Sequence, residues 1–221
     1  MIAIVLLMIF ALGPILSASA IAEEVIPTIY PDGTYYNFYY ATGCDTSGGN
    51  PPWSDVQCDV STNGAGAYSE NVNGAYGALV WTRVWKSVNV GTAGTFYAYA
   101  LGYYGGRVSA GSFAYGELFF YFRIRDLDTG SLLAQWMIDD VSATGAGYTD
   151  FYTTFHSGTL SWSGAAGHHY ALEAYVSADA EGTPSSFSYA DGMLRSGHGI
   201  SWSYITVYSV PSGGGNCHLC E

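Results

Sequence analysis

Glu117-Leu-Phe-Phe-Tyr-Phe-Arg-Ile-Arg-Asp-Leu-Asp-Thr-Gly-Ser-Leu-Leu-Ala-Gln-Trp-Met-Ile138 reads as one long β-hairpin. Strand side chains alternate between two faces. Leu118, Phe120, Phe122 and Ile124 therefore share one face and can line a core. Glu117, Phe119, Tyr121, Arg123 and Arg125 share the other and meet solvent or a partner. Asp126 to Gly130 supplies the turn: carboxylates bond their own backbone and glycine accepts positive φ. The second strand runs apolar from Leu132 to Ile138.

Similar stretches flank this hairpin. Thr34 to Ala41 puts Tyr36, Phe38 and Tyr40 on one face and Tyr35, Asn37 and Tyr39 on the other, and Val80 to Val90 puts Val80, Val84, Val88 and Val90 opposite Trp81, Arg83, Trp85, Ser87 and Asn89. Thr95 to Tyr104, Arg107 to Tyr115, Tyr148 to Phe155, Thr159 to Trp162, His168 to Ala178 and Ile200 to Val210 also read as strands. Turns are expected at Gly91 to Gly94 and Gly105-Gly106, and loops at Asp139 to Gly147 and Ala178 to Ser185. Residues 42–77, rich in glycine, proline and serine, read as a long irregular excursion. About ten strands and no helical periodicity predict an all-β fold. It is a two-sheet antiparallel β-sandwich of jelly-roll type, formed by a single domain over residues 21–210.

Of 221 residues only six are basic, and the net charge is −12. Nucleic-acid binding needs clustered lysine and arginine to release counterions from phosphates, so that class is excluded, as is binding to anionic lipid surfaces. Residues 1–20 read as a signal peptide: an apolar run from Ile2 to Leu16 precedes the small residues Ser17-Ala18-Ser19-Ala20. The chain is therefore expected outside the cell or at its surface, with no membrane span after cleavage. Four cysteines in an exported chain suggest disulfides. Cys44 with Cys58, and Cys217 with Cys220 in the Gly-rich tail of residues 211–221, is the simplest of three pairings.

Motifs of chemistry are absent. There is no G-x-S-x-G, G-x-G-x-x-G, P-loop or H-E-x-x-H. Glu117 and Glu173 are the two glutamates inside expected strands; a retaining glycosidase would need such carboxyls ~5–5.5 Å apart. Surface carboxylates are the plainer reading. Asp126 with Asp128, Asp139 with Asp140, and Asp179 with Glu181 form acidic pairs in expected loops, the kind of oxygen donors Ca²⁺ takes. Turn chemistry alone accounts for Asp126 and Asp128. His168 and His169 are strand neighbours, expected to point to opposite faces as ordinary strand-end histidines; His156 and His198 are isolated. No organic cofactor is implied.

Trp81, Arg83 and Trp85 on one strand face suit stacking on sugar rings, with Trp53 as a further contact. Their plainer reading is a second core, with the valines outward. Two classes of function follow. The first is an exported structural or adhesive protein that associates with itself through sheet edges and aromatic patches. The alternative is a secreted carbohydrate-binding module with a glycan as partner, and a glycoside hydrolase stands behind it.

Overall fold

The computed structural model describes residues 25–47, 54–60, 63–72, 79–183 and 186–210. Residues 1–20, expected to be a signal peptide, Trp53 and the Cys217/Cys220 tail lie outside the described residues. Strands over Thr28–Ile29 (β1), Tyr35–Phe38 (β2), Gly43–Ser47 (β3), Ser54–Asp59 (β4), Gly64–Val72 (β5), Val80–Val90 (β6) and Gly94–Ala110 (β7) form the first half. Ala114–Asp126 (β8), Leu132–Thr144 (β9), Tyr148–His156 (β10), Leu160–Gly164 (β11), His169–Gly182 (β12), Phe187–Gly192 (β13) and Gly199–Ser209 (β14) form the second. The helical content among the described residues is one 3-10 turn, Leu194–Ser196.

The strands make an all-β sandwich. A six-stranded sheet runs β1-β6-β12-β8-β9, with β3 also on β6. An eight-stranded sheet runs β10-β7-β13-β5-β14-β2, with β11 on β7 and β4 on β5; β7 also pairs with β14. The pairings are antiparallel except β1 with β6, which is parallel and departs from the purely antiparallel expectation.

The alternation read from the sequence is the alternation seen. Val80, Val84, Val88 and Val90 of β6 and Leu118, Phe120, Phe122 and Ile124 of β8 are buried between the sheets. They meet Phe96, Ala98, Ile200, Ile205 and Val207 of the opposite sheet in one core. Each such side chain contributes ~1.5–3 kcal/mol by leaving water. The valines face inward, so Trp81, Arg83 and Trp85 face out. Two polar residues share the valine face: Thr82 donates to the Gly66 carbonyl at 2.7 Å, and Lys86 is buried with its ammonium 6.0 Å from the Phe38 ring.

Four expectations are corrected. The excursion at residues 42–77 contains β3, β4 and β5. Its strands escaped pattern reading because β5 begins Gly-Ala-Gly-Ala: both faces are buried, and small residues leave no alternation. A Cβ on Gly66 would lie 2.8 Å from the Leu194 nitrogen and 2.9 Å from the Gly192 oxygen, so backbone contact selects glycine there. Gly105-Gly106 is not a turn but the middle of β7, where a Cβ on Gly106 would meet Leu118 at 2.3 Å. The expected loops at Asp139 and Ala178 are instead the ends of β9 and β12. The strand count rises accordingly, from about ten to fourteen among the described residues.

Two ties cross the fold. Cys44 of β3 in one sheet is bonded to Cys58 of β4 in the other, with Cα atoms 6.0 Å apart. β2 pairs with β14 so that Tyr35 sits opposite Tyr208 and Phe38 opposite Ile205, bringing the start and end of the sandwich side by side. Closing a loop of about 15 residues restricts the unfolded chain by ~3 kcal/mol. Replacing both Cys44 and Cys58 by serine is expected to lower the melting temperature by roughly 6–12 °C in differential scanning calorimetry, at ~2–4 °C per kcal/mol for this size.

Candidate functional site

The outer face of the six-stranded sheet carries the expected aromatic set. The Arg83 guanidinium lies 5.6 Å from the Trp81 ring centroid and 5.3 Å from that of Trp85. Trp81 in turn stacks on Tyr175 of β12 at 5.8 Å. Arg83 Nη1 donates to Glu173 Oε1 at 2.8 Å, and its Nη2 to Asp45 at 3.0 Å. Arg125 Nε donates to the same Glu173 oxygen at 3.0 Å, while its Nη1 donates to the Gly130 carbonyl. Glu173 is fully buried beneath this cover although its side chain points outward. Trp81, Arg83 and Trp85 are thus brought together as expected. The Trp81 and Trp85 rings pack on Arg83, and both Arg83 Nη groups donate to carboxylates, so much of the set is already engaged with protein.

The glutamate pair is not brought together. On the β8–β12 ladder Glu117 sits opposite Asp179, while Glu173 sits opposite Arg123, six positions away. Six strand residues span ~20 Å, far beyond the reach of a shared glycosidic bond. This overturns the pair as catalytic carboxyls. Glu117 instead joins Tyr115, Asp140 and Asp179. Partial burial and the neighbouring carboxylates raise its pKa above the ordinary value, despite the Tyr115 hydroxyl. Asp179 is raised by burial and by Glu181.

The remaining acidic pairs divide. Asp139 faces inward and accepts the Tyr104 hydroxyl at 2.7 Å, whereas Asp140 is exposed on the other face; neighbours in a strand cannot share an ion. Asp126, Asp128 and His168 bring ligand atoms within 4.8 Å of one another. Turn geometry already occupies Asp126: Oδ1 accepts the Asp128 and Thr129 N–H groups, and Oδ2 lies 3.0 Å from His168 Nδ1. His169 approaches the same turn, its N–H donating to Asp128 Oδ2 at 2.7 Å. The two histidines thus dock the hairpin turn onto β12.

The eight-stranded sheet holds a site that motif reading passed over. Its outer face is a strip of tyrosines. Tyr35 stacks on Tyr208 at 5.0 Å, Tyr208 on Tyr97 at 5.3 Å, and Tyr99 contacts His156 at 5.2 Å. The strip ends at a cavity of about 360 Å³. Tyr103 of β7 and Tyr152 of β10 stand at its mouth, 39% and 62% exposed, with ring centroids 5.6 Å apart and tilted by 39°. Gln57, Asp59, Arg195, His198 and Ser201 supply its polar lining. His198 is held between two carboxylates, Nε2 3.6 Å from Asp150 and Nδ1 3.8 Å from Asp191, and Nδ1 is buried with no hydrogen-bond partner. Arg195 pairs with Asp55 at 2.9 Å and Arg107 with Asp150 at 2.7 Å. A second cavity of about 370 Å³ continues along the strip beside Leu101, His156 and Tyr204.

No protein-family model matches the chain, and no curated protein matches it. Among solved structures, a family 35 carbohydrate binding module from Clostridium thermocellum is similar at 14% identity. The match covers 80% of this chain and 99% of that one, with a TM-score of 0.27. The CBM22-1–GH10 modules of Clostridium thermocellum endo-1,4-beta-D-xylanase 10B, complexed with xylohexaose, match at 10% identity over 85% of this chain and 27% of that one, with a TM-score of 0.25. The enzymatically active domain of Bacteriophage CBA120 tailspike protein 4 matches at 12% identity over 78% and 19%, with a TM-score of 0.24. Likenesses this loose assign no function, so function is read from the residues themselves.

Two measurements check the electrostatics. Asp126 raises the His168 pKa above the ordinary 6.5. Burial alone would raise the Asp126 pKa, but the His168 contact and the N–H groups of Thr129 and Asp128 outweigh it and hold the carboxyl low. The pair's contribution is full below the ordinary imidazole midpoint and is lost as pH climbs through the elevated one. It is lost again as pH falls through the depressed Asp126 midpoint. An NMR titration of His168 should give a midpoint above 6.5 that drops in Asp126→Asn. Separately, Glu173→Gln leaves Arg83 and Arg125 without their buried carboxylate. Urea unfolding is expected to show a loss of about 3 kcal/mol.

Proposed function

We propose that this protein is an extracellular glycan-binding β-sandwich that holds its ligand along the tyrosine strip of the eight-stranded sheet. The observation that carries the reading is the cavity behind Tyr103 and Tyr152. Two exposed, mutually tilted rings flank a pocket of 360 Å³ with side-chain donors and acceptors converging behind them. A sugar ring presents apolar C–H faces to an aromatic ring and hydroxyls around its rim, and a pocket of this volume accommodates one or two such rings. The tyrosine hydroxyls both donate and accept, matching hydroxyl-rich ligands.

Charge narrows the class. Asp55, Asp59, Asp150 and Asp191 outnumber Arg195 and Arg107 around the cavity, and the whole chain carries −12. Polyanionic glycans are repelled and neutral polysaccharides are favoured. The extracellular placement draws support from the Cys44–Cys58 bond, since disulfides persist in oxidising surroundings. No helix among the described residues is long and apolar enough to cross a membrane.

Affinity electrophoresis in gels containing neutral polysaccharides such as xylan, glucan or mannan tests the reading. Tyr152→Ala or Tyr103→Ala is expected to weaken binding about tenfold or more, the loss of one stacking partner. Trp81→Ala, on the other sheet, leaves it unchanged. Retardation lost in Trp81→Ala and retained in Tyr152→Ala would move the site to the six-stranded sheet. No retardation in any neutral polysaccharide would end the proposal.

A further inference from the structure

The outer face of the six-stranded sheet remains to be explained. It is polarised along its strands. On the ladder of β6, β12 and β8, Thr82, Val176 and Phe120 sit at one level. Three positions to one side stand Arg123 and Glu173, with Arg125 two positions further along β8 and Arg83 of β6 bonded to Glu173. Three positions to the other side stand Glu117 and Asp179, with Asp140 beside them and Glu181 two positions further. Arg123 and Arg125 thus lie at one end of this face, with Arg83 one position from the middle level, and Glu117, Asp179 and Glu181, joined by Asp140, lie at the other.

Aromatic side chains fill the middle. Trp81, Tyr175, Tyr121 and Phe119 form a chain of ring contacts at 5.8, 6.0 and 6.3 Å. Met137 of the edge strand β9 extends the patch opposite Tyr121 and is half exposed. Tryptophan, tyrosine, methionine and arginine are the residues that enrich the centres of protein interfaces. Arg123 is stacked 3.5 Å over Tyr175 and 4.4 Å over Tyr121, and among the described residues it forms no ion pair.

We infer that this face binds a second copy of the same chain, face to face, as a two-fold dimer. The axis lies in the plane of contact and crosses the strands at the level of Phe120 and Val176. Rotation about it leaves each strand over its own copy and reverses its direction. Arg123 then meets Glu117 of the second copy, and Arg125 meets the region of Tyr115 and Glu181. The aromatic middle packs against itself. An isologous contact requires self-complementarity of this kind. The register supplies it, because the cationic and anionic ends stand at equal distances from one level. The carboxylate end is also costly when left alone: burial and mutual repulsion raise the pKa of Glu117 and Asp179. A facing guanidinium would offset the mutual repulsion. The tyrosine strips stay uncovered on the far sides of such a dimer.

Sedimentation equilibrium of the mature chain under oxidising conditions tests this. The expected result is a dimer whose dissociation constant rises when salt is increased from about 0.05 M to about 0.5 M. Arg123→Glu and Glu117→Arg, each checked for folding by near-UV circular dichroism, should each weaken self-association ~100-fold by placing like charges together. Mixed in equal amounts they should associate again, because both contacts between positions 123 and 117 then pair opposite signs. Association that both variants leave intact would overturn the inference, as would variants that stay monomeric on mixing. If Arg123→Glu does not fold, Arg125→Glu mixed with Glu181→Arg reads the same end-to-end pairing. A wild-type chain monomeric at all concentrations in low salt would reject the dimer outright. None of these readouts involves glycan, so failure here leaves the tyrosine site standing.

Discussion

A single buried carboxylate organises the six-stranded sheet. Glu173 lies on the central strand β12, and its Oε1 takes one guanidinium from β6 and another from β8. A charge withdrawn from water is costly unless paired, so the three strands are tied at one point in one register. The cover over that point is aromatic and cationic together: Arg83 between Trp81 and Trp85, Arg123 over Tyr121 and Tyr175. What resembles a ligand platform in sequence is first of all the roof that keeps Glu173 dry.

The two outer faces of the sandwich consequently differ in kind. One is charged, polarised and internally bonded. The other is a strip of phenol rings with cavities at its end and few cations. Sheets of similar backbone construction differ because side chains on an outer face are free of the core's demand for apolar volume. The rings over Glu173 are held by guanidiniums, whereas Tyr152 at the cavity mouth is more than half exposed. A soluble ligand meets far less competition at the second face.

Much of the fold was legible because burial imposes period two. Leu118 to Ile124 and Val80 to Val90 alternate in sequence and in space. The face shared by Trp81, Arg83 and Trp85 was legible for the same reason. β5 was not, since Gly64 to Ala67 carries no contrast between its faces. Nor was the end of β9, where Asp139 reads as a turn residue but turns inward to the Tyr104 hydroxyl. The tyrosine site was only half legible. Tyr97, Tyr99 and Tyr103 alternate visibly, yet the cavity depends on β10 pairing with β7 so that Tyr152 arrives opposite Gly105. His198 reaches the same cavity from the segment after β13, and no local pattern marks such convergence.

The pairing of β2 with β14 has a mechanical consequence. Tyr35 opens β2 and Tyr208 nearly closes β14, and Gly33 donates to the Ser209 hydroxyl at 3.0 Å just beyond them. A pulling force that enters β2 at Tyr35 and leaves β14 beyond Tyr208 therefore acts across adjacent strands at the same rung. It opens their hydrogen bonds one after another, as a zipper is opened, rather than loading them together in shear. Once the two-residue β1 has left β6, the next strand to yield under tension is β2. The core hairpin, the Glu173 tie and the tyrosine cavity stay intact while it peels away.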